Sequence, residues 1–421
     1  MTETVFTYAA PGLKYGPGAA AEIGHDLMLY GARRVLLVTD PGVAATGHPA
    51  AVAERIASRG IDVTTYDRAH VEPTDESLTE AVSFARDAGP FDAVVAVGGG
   101  SAIDTAKAVN LLVTNPGDLM DYVNAPVGKA RDPEHPLLPL VAVPTTTGTG
   151  SESTTICVLD VLALKVKTGI SHARLRPTLA VVDPTLTLSQ PALVTASCGM
   201  DILCHALESY TARWYADFEA KQPEQRVPYC GANPIADMWS EKALSLLAGS
   251  FRRAVRDGDD EAARGDMALA ATFAGLGFGN AGVHVPHACA YPIAGRVRDY
   301  RPEGYPQDEP MVPHGMAVSL TAPAAFRHTW AASPDRHARA AELLDPGSAR
   351  PAGVERLADV LRELMRDIGM PNGLGAIGYG EGDIADLVEG AMKQQRLLAT
   401  APVDVAAEDL AGVFTESMEL W

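Results

Sequence analysis

The stretch FDAVVAVGGGSAIDTAKAVNLL, residues 91–112, decides the fold of this chain. Its first part is a short apolar run rich in valine, which predicts a buried strand over residues 91–97. A glycine-rich turn at residues 98–101 ends that strand, and the composition of residues 102–112 predicts a helix. A strand, such a turn and a helix in this order can bind a phosphate, because glycines admit a close ligand and the helix start offers unpaired N–H groups. The same pattern is also that of an ordinary tight turn, since it lacks the G-x-G-x-x-G spacing.

The sequence around this stretch keeps alternating between strands and helices. We predict further strands at residues 34–40, 61–66 and 138–143, and helices at residues 51–59 and 77–88. Alternation of this kind implies a Rossmann-like α/β fold, in which helices cover both faces of a mostly parallel sheet. After Pro184 the β-branched runs disappear and long helical patterns follow. The helices predicted in this second part are residues 191–213, 236–256, 259–274, 336–344, 354–368 and 384–398.

We therefore expect two domains, an α/β domain over residues 1–190 and an all-helical domain over residues 191–421. Two proline-bearing stretches, residues 218–233 and 296–313, predict surface loops inside the second domain. A length of 421 residues agrees with two domains, because a single hydrophobic core of that size is unusual.

Composition and charge exclude several classes of partner. A formal net charge of −19 argues against nucleic acid, because a phosphate backbone would be repelled. No uninterrupted apolar run is long enough to span a bilayer, so we expect no membrane partner. The first residues, MTETVFTY, show neither a secretory signal nor the arginine-rich composition of a transit peptide. These features predict a cytoplasmic protein whose five cysteines are reduced thiols.

Polar side chains follow two of the predicted strands and are candidates for binding a nucleotide. Asp40 ends the first strand and could accept a hydrogen bond from a ribose hydroxyl, which would favour NAD over NADP. Asp40 could equally be a turn or cap residue, and it precedes the glycine-rich turn, which departs from the usual Rossmann order. A hydroxyl-rich loop follows the strand at residues 138–143, and it could bind phosphates or the nicotinamide amide or be a simple connector. Its hydroxyl residues are Thr145, Thr146, Thr147, Thr149 and Ser151.

A second set of residues has the chemistry of a metal site. Asp201 and His205 are four residues apart in a predicted helix, so their side chains project from the same face. Such acid–histidine pairs are common without a metal, but His287 and His314 lie beside glycine or proline in apolar surroundings. One carboxylate and three imidazoles suit Fe(II) or Zn(II). His284 is a competing ligand or a hydrogen-bond partner of a ligand.

Five motifs in order give the chain a resemblance to the iron-containing (group III) alcohol dehydrogenases. They are GGGSAID at residues 98–104, PTTTGTGSE at residues 144–152, Asp201 with His205, His287 with Pro292, and Pro313-His314-Gly315. By this resemblance the metal ligands, and with them the catalytic centre, are Asp201, His205, His287 and His314. The NAD site would be lined by Asp40, Gly98, Gly99, Gly100, Ser101, Asp104, Thr145, Thr146 and Thr149.

The same resemblance implies the wider properties of the family. The fold would be dehydroquinate synthase-like, with an α/β NAD-binding domain followed by an all-α metal-binding domain. The cofactors would be NAD and a divalent metal, with Fe(II) favoured and Zn(II) possible. We also expect a homodimer or a higher homo-oligomer.

A narrower resemblance is to the hydroxyacid-oxoacid transhydrogenase subgroup. It is carried by residues 71–75, 121–126, 165–177 and 204–210, and by Tyr291, where many family members have a second histidine. Enzymes of this type transfer a hydride through NAD from 4-hydroxybutyrate to 2-oxoglutarate. The alternative is an ordinary NAD-dependent alcohol dehydrogenase that acts on a small primary alcohol or aldehyde.

Substrates of the subgroup carry carboxylates, so the site would need a cationic anchor. A short basic segment stands out in this acidic chain, and it contains Lys165, Lys167, His172, Arg174 and Arg176. We expect at least one of these residues to bind a substrate carboxylate, although the segment could also be a solvated hairpin with ordinary salt bridges. The specific candidates are Lys165, Lys167, Arg174 and His284.

Overall fold

The computed structural model describes residues 2–164 and 166–421, and the chain forms two compact units in it. An α/β unit comprises Ala10–Ser189, and a helical unit comprises Met1–Ala9 with Gln190–Trp421. The predicted combination of an α/β part and an all-helical part is confirmed. Lys165, one of the candidate anchors, lies outside the described residues.

The α/β unit is built on a six-stranded parallel sheet with the strand order β1-β8-β5-β4-β2-β3. A separate antiparallel hairpin is formed by β6 and β7. The strands are β1 (Gly12–Tyr15), β2 (Arg34–Val38), β3 (Asp62–Tyr66), β4 (Ala93–Gly98), β5 (Leu140–Pro144), β6 (Ile156–Val161), β7 (Val166–Ser171) and β8 (Leu179–Val182). The helices are α1 (Ile23–Leu29), α2 (Pro41–Ala44), α3 (His48–Ala57), α4 (Asp75–Ala88), α5 (Gly100–Thr114) and α6 (Leu119–Tyr122).

Alternate residues of the central strands face opposite sides of this sheet, as the period of a strand requires. Val35 and Leu37 of β2 pack in a core with α1 and α3, whereas Leu36 and Val38 pack in a second core with α4 and α5. Both faces are therefore buried, which explains why these strands are continuous apolar runs rather than alternating ones.

Four strands were missed by the sequence prediction. β1 is short and mostly exposed, and β6 and β7 form a half-buried hairpin, in which buried and partly buried residues alternate along β6. β8 is only four residues long, although all four are buried. Strands of this kind give little local signal, because tertiary pairing rather than local composition stabilises them.

The helical unit contains ten α-helices among the described residues. They are α7 (Ala192–Thr211), α8 (Pro234–Arg256), α9 (Glu261–Ala281), α10 (Val285–Gly295), α11 (His314–Thr329), α12 (Pro334–Leu344), α13 (Val354–Asp367), α14 (Ile384–Met392), α15 (Gln395–Leu398) and α16 (Ala407–Glu416). The prediction missed α10, α11 and α16, and it joined α14 and α15 into one helix. α10 and α11 each contain an internal proline and are buried on nearly all sides, so their sequences lack an amphipathic pattern.

The N-terminal segment differs from the predicted division, which placed it with the α/β part. Within the helical unit, the backbone N–H of Glu3 donates to the Phe218 carbonyl at 2.8 Å. Asn280 of α9 exchanges two hydrogen bonds with the backbone of Ala9, at 3.0 and 3.1 Å. These backbone contacts attach the segment to the helices.

No single helix among the described residues is long and apolar enough to cross a bilayer. In the described part of the chain, one pair of helices, α9 and α10, reaches that length and composition when taken together, and the pair is bent by 104° at the break between them.

Candidate functional site

Helix α7 presents three polar side chains in an otherwise apolar, buried segment. Asp201, His205 and Glu208 are spaced by four and three residues, so they share one face of the helix. Asp201 is 2 % exposed, His205 4 % and Glu208 0 %. Burial of three ionisable groups side by side requires a compensating partner.

Histidines from two other helices of the same unit converge on Asp201. The Nε2 atoms of His205 and His287 each lie 3.7 Å from Asp201 Oδ1, and Nε2 of His314 lies 3.9 Å from it. The four candidate ligand atoms all lie within 4.8 Å of one another. The structure therefore brings together all four residues that the sequence predicted as a metal centre.

The helix starts explain how His287 and His314 reach this point. His314 is the first residue of α11, and His287 lies in the first turn of α10. A Cβ at Gly315 would lie 2.1 Å from the Ser197 carbonyl oxygen, so glycine allows α11 to approach α7 closely. The Met316 N–H donates to Ser197 Oγ at 3.1 Å and fixes this approach.

The donor set fits a divalent metal. Among the described residues, Asp201 Oδ1 and His287 Nε2 are buried without a hydrogen-bond partner. Two ligands at about 2.1 Å from one tetrahedral ion are about 3.4 Å apart, which is close to the observed separations. The buried carboxylates of Asp201 and Glu208 pair only with histidines among the described residues. A cation would supply the missing positive charge.

The electrostatics of the cluster follow from burial and from the two carboxylates. Burial lowers the pKa of His205 to about 3, more than Asp201 can raise it. Burial also acts to lower the pKa of His287, but Glu208 and Asp201 outweigh it and raise this pKa to about 9. Burial would raise the pKa of Asp201, but the nearby imidazoles hold it well below its ordinary value. Asp201 is therefore an anion and His205 a neutral imidazole, which are the forms that bind a metal.

Glu208 is the residue of this site that the sequence prediction missed. Its Oε1 accepts a hydrogen bond from His287 Nδ1 at 2.6 Å, and its Oε2 accepts one from the backbone N–H of His284 at 2.6 Å. The signal was present in the sequence, because Glu208 is seven residues after Asp201 and three after His205, on the same helix face.

His284 and His205 are each held by a neighbour. His284 is fully buried, and its Nε2 lies 3.0 Å from Thr211 Oγ1 rather than in the four-residue cluster. The ring of His205 stacks on Phe278, with centroids 3.8 Å apart and planes 6° apart. His314 retains 21 % side-chain exposure and is the most open member of the cluster.

The glycine-rich turn of the α/β unit lies at the carboxyl end of β4. A Cβ at Gly98 would lie 2.6 Å from the Ala102 Cβ, and one at Gly100 would lie 2.6 Å from Thr149 Cγ2. A Cβ at Gly99 would lie 3.2 Å from Thr146 Oγ1. Close packing, rather than an unusual backbone angle, is thus the reason for glycine here.

The threonine loop follows β5, the neighbour of β4 in the sheet, and faces this turn. The Thr145 N–H donates to the Gly98 carbonyl at 3.0 Å. The hydroxyls of Thr145 and Thr147 are buried without a hydrogen-bond partner among the described residues. Such hydroxyls beside the first turn of α5 can donate to a phosphate.

Asp40 also belongs to this edge of the sheet. Its Oδ1 accepts from the Val43 N–H at 2.9 Å and so caps α2, while its Oδ2 lies 3.4 Å from the position of a Cβ on Gly98. Burial raises the pKa of Asp40. The cap interpretation is thus observed, and the carboxylate also borders the turn.

Asp104 and Ser101 make contacts inside the unit. Asp104 Oδ1 accepts from Ser151 Oγ at 2.5 Å, and Asp104 Oδ2 accepts from the Val158 N–H at 2.8 Å. Ser101 Oγ accepts from the Glu72 N–H at 3.1 Å. The predicted role of Asp104 in lining the cofactor site has no support from these contacts, since both of its oxygens hold neighbouring backbone and side chains.

The predicted carboxylate anchors are already engaged. Lys167 is 4 % exposed, and its Nζ pairs with Glu72 at 2.5 Å and with Asp160 at 3.0 Å. Arg174 donates from Nη1 to the carbonyls of Pro133 and His135, at 2.8 and 3.1 Å. Lys167 is thus neutralised by two acids, which the sequence analysis could not show because Glu72 is 95 residues away and Asp160 lies across a hairpin whose strands were not predicted.

Two models of known protein families match this chain. The sequence model described as iron-containing alcohol dehydrogenase matches residues 11–184. The model described as Fe-containing alcohol dehydrogenase family, C-terminal, matches residues 224–418. Together these matches cover most of both units.

Similar curated proteins extend over the whole chain. Hydroxyacid-oxoacid transhydrogenase, mitochondrial, of Bos taurus is 46 % identical over 426 residues, which cover 100 % of this chain and 91 % of the relative. Its name contradicts the predicted cytoplasmic location. That prediction was wrong because it inferred a compartment from the composition of the first few residues.

Solved structures of the family share the fold. 1,3-Propanediol oxidoreductase has a TM-score of 0.86 at 30 % identity, covering 98 % of this chain and 100 % of that one. Sulfoacetaldehyde reductase from Bifidobacterium kashiwanohense, solved in complex with NAD+, has a TM-score of 0.80 at 28 % identity and covers 98 % of both chains. The family models match both units, and the helical unit brings the four candidate metal ligands together. This chain therefore belongs to the iron-containing alcohol dehydrogenase family.

Proposed function

We propose that the protein is a hydroxyacid-oxoacid transhydrogenase, which transfers a hydride through NAD from 4-hydroxybutyrate to 2-oxoglutarate. The name shared by relatives at 45–46 % identity over the chain supports this activity. The single structural observation that carries the proposal is the convergence of Asp201, His205, His287 and His314.

In this proposal the four side chains of the helical unit hold a divalent metal, and Fe(II) is the favoured ion. A metal of this kind, when bound, acts as a Lewis acid that lowers the pKa of an alcohol and polarises a carbonyl. Asp201 supplies negative charge to the centre, and His205 and His287 supply buried nitrogen ligands. His314, the most open member, borders the side from which a substrate can enter.

The α/β unit would hold NAD at the carboxyl ends of its strands. The turn at residues 98–101 and the start of α5 would bind the pyrophosphate, because the first turn of a helix offers N–H groups without partners and a favourable dipole. Thr145, Thr146 and Thr149 would donate hydroxyl hydrogen bonds. Asp40 would accept from the ribose. Asp104 would position the loop through Ser151 and would not touch the cofactor.

The anchor for the substrate carboxylates is a separate question. Lys167 does not suit this role, because two carboxylates already neutralise it. Arg174 remains a candidate, since among the described residues Nη1 is the only nitrogen of its guanidinium group with a hydrogen-bond partner. Arg174→Ala should raise the KM for 4-hydroxybutyrate more than the KM for a neutral alcohol, and equal effects on both would remove Arg174 from consideration.

The deciding experiment uses purified protein mixed with 4-hydroxybutyrate and 2-oxoglutarate and no added NAD. Formation of succinate semialdehyde and 2-hydroxyglutarate supports the transhydrogenase, in which the reduced cofactor stays bound and passes its hydride to the second substrate. Strict dependence on added NAD supports the alternative, an ordinary NAD-dependent alcohol dehydrogenase. Metal analysis of anaerobically purified protein decides between Fe(II) and Zn(II).

The assembly state is also a proposal. We expect a homodimer or a higher homo-oligomer, because β1 is an edge strand whose Leu13 and Tyr15 are 45 % and 38 % exposed. Light scattering tests this expectation, and a monomeric mass at micromolar concentration would contradict it.

A further inference from the structure

Glu208 sits between two helices and makes contacts that a space-filling residue would not make. It is fully buried on α7, and each of its carboxylate oxygens contacts the start of α10. Oε1 lies 2.6 Å from Nδ1 of His287, and Oε2 accepts from the backbone N–H of His284 at 2.6 Å. A longer contact joins Oε2 to the backbone N–H of His287 at 3.4 Å.

The contact with the imidazole fixes where its ring proton resides. A carboxylate accepts hydrogen bonds and does not donate them, so Nδ1 of His287 must carry the proton. The other nitrogen, Nε2, is then the atom that can bind a metal once it gives up its own proton, and it lies 3.7 Å from Asp201 Oδ1. Without Glu208, the ring could take the other tautomer or turn about its side-chain bonds.

The contacts with the backbone fix where α10 begins. His284 is the N-cap residue of α10 and supplies no side-chain cap of its own. The first turn of a helix leaves N–H groups without partners, and Pro286 has no N–H to satisfy. Glu208 Oε2 therefore caps α10 from outside with a negative charge, which the positive end of the helix dipole favours.

We propose that Glu208 is the positioning residue of the metal centre. From the helix that carries Asp201 and His205, it selects the ring tautomer of His287 and sets the start of the helix that carries this ligand. The inference rests on the proposed metal centre but not on the proposed substrates.

The test measures the affinity of the metal-free protein for Co²⁺ alone, by its visible absorption and by competition with a chelator. Glu208→Gln should weaken Co²⁺ binding by about 10- to 100-fold, because an amide cannot accept from both His287 Nδ1 and the backbone N–H groups. Glu208→Asp keeps the charge on a shorter side chain and should restore part of the affinity. A Glu208→Gln variant that binds Co²⁺ as the wild type does would overturn the proposal.

Thr211→Val is the matched control. Thr211 is buried on the same helix and contacts the ring of His284, but it contacts none of the four candidate ligands. Its loss should lower the melting temperature and leave Co²⁺ affinity within about threefold, since a single hydrogen bond is removed. If Thr211→Val weakens binding as much as Glu208→Gln does, the role of Glu208 is merely structural and the proposal fails.

Nuclear magnetic resonance of ¹⁵N-histidine-labelled, metal-free protein gives a second measurement. The wild type should show a protected Nδ1 proton for His287, assigned by its absence in His287→Gln, and Glu208→Gln should shift or abolish it. An unchanged resonance would contradict the proposal. Neither measurement uses NAD or a hydroxy acid, so a wild type that binds Co²⁺ but forms no product would reject the proposed reaction alone.

Discussion

The glycine-rich turn of the α/β unit and the carboxylate–histidine cluster of the helical unit are built in opposite ways. The turn uses backbone groups and requires the absence of side chains, because Cβ atoms at Gly98 and Gly100 would each come within 2.6 Å of a neighbour. The cluster uses long side chains from α7, α10 and α11, which meet within 4.8 Å.

This difference determines how each region responds to change. A site made of backbone is lost when atoms are added to it, whereas a site made of side chains is lost when atoms are removed. The turn depends on packing between the ends of two neighbouring strands, since Gly99 and Gly100 lie against Thr146 and Thr149, while the cluster depends on three helices. Mutations can therefore test the two constructions separately.

The largest expected effect is the loss of one ligand from the cluster. Asp201→Ala should abolish stoichiometric metal binding and lower kcat/KM by about 10³-fold or more, since metal-assisted stabilisation amounts to several kcal/mol. Metal analysis and steady-state kinetics measure both quantities. His25→Ala, at an exposed histidine of the α/β unit, should change neither. Retention of the metal by Asp201→Ala would break the comparison, because the cluster would then not depend on that side chain.

The next largest effect is a loss of stability when the buried Lys107, which lies on the helix that follows the glycine-rich turn, is replaced. Lys107 is fully buried and donates to Ser151 Oγ at 2.6 Å, and its Nζ lies 3.3 Å from Asp104. Lys107→Met should lower the free energy of unfolding by about 3–5 kcal/mol, because Asp104 would be left as an uncompensated buried charge. Urea denaturation measures this change.

Lys129→Met is the control for Lys107, because Lys129 pairs with Asp121 while its side chain is 77 % exposed. An exposed pair should contribute far less than a buried one, because water and salt screen its attraction. Similar losses in the two variants would show that burial does not set the strength of the Lys107 network.

A smaller effect is expected from one added methyl group in the turn. Gly100→Ala places a Cβ at 2.6 Å from Thr149 Cγ2, and such overlap costs about 1–3 kcal/mol. NADH affinity, measured by fluorescence titration, should fall by about tenfold or more, while metal content should stay constant. Gly249→Ala, in an exposed part of α8 with no atom within 4 Å of the new Cβ among the described residues, should leave affinity unchanged. Equal NADH binding by both variants would contradict close packing as the reason for glycine.

The smallest expected effect is a pH dependence next to the cluster. Burial lowers the pKa of His284 to about 4 from an ordinary value of 6.5. Between pH 6.5 and about 4, His284 is protonated in the unfolded chain but not in the folded one. The contribution of neutral His284 to stability is therefore fully present above pH 6.5 and is lost as the pH falls towards 4. The slope of the unfolding free energy should be about 1.4 kcal/mol per pH unit steeper in the wild type than in His284→Gln. Parallel slopes would show that His284 is not held neutral.

The sequence predicted the α/β unit well at the longer strands that are buried on both faces, β2, β4 and β5. The predicted strand at residues 91–97 is observed as Ala93–Gly98, because a continuous valine-rich run is typical of a parallel strand. It failed for the hairpin of β6 and β7 and for α10 and α11. The helices that carry His287 and His314 contain Pro292 and Pro323 and lack a polar face, so helical periodicity could not reveal them.

In the candidate site, too, the sequence predicted what depends on local spacing and missed what depends on tertiary contacts. Spacing placed Asp201 and His205 on one helix face, the apolar surroundings of His287 and His314 made them further candidates, and the family resemblance implied all four as ligands. Resemblance could not show that Lys167 is neutralised by Glu72 and Asp160, because ion pairing depends on tertiary contacts. The roles assigned to the nucleotide-binding residues and to the metal ligands stay predictions until the variants are measured.

Because Asp201, His205 and Glu208 all lie on α7, the metal centre depends on the angular positions of these residues around the helix axis. With about 100° per residue, the second and third members lie about 40° and about 20° from the first around the helix axis. One residue inserted between His205 and Glu208 would turn Glu208 by about 100° around the helix axis, away from α10. We expect such a variant to lose Co²⁺ affinity. The centre can thus be destroyed by a change of register that leaves each of its side chains in the sequence.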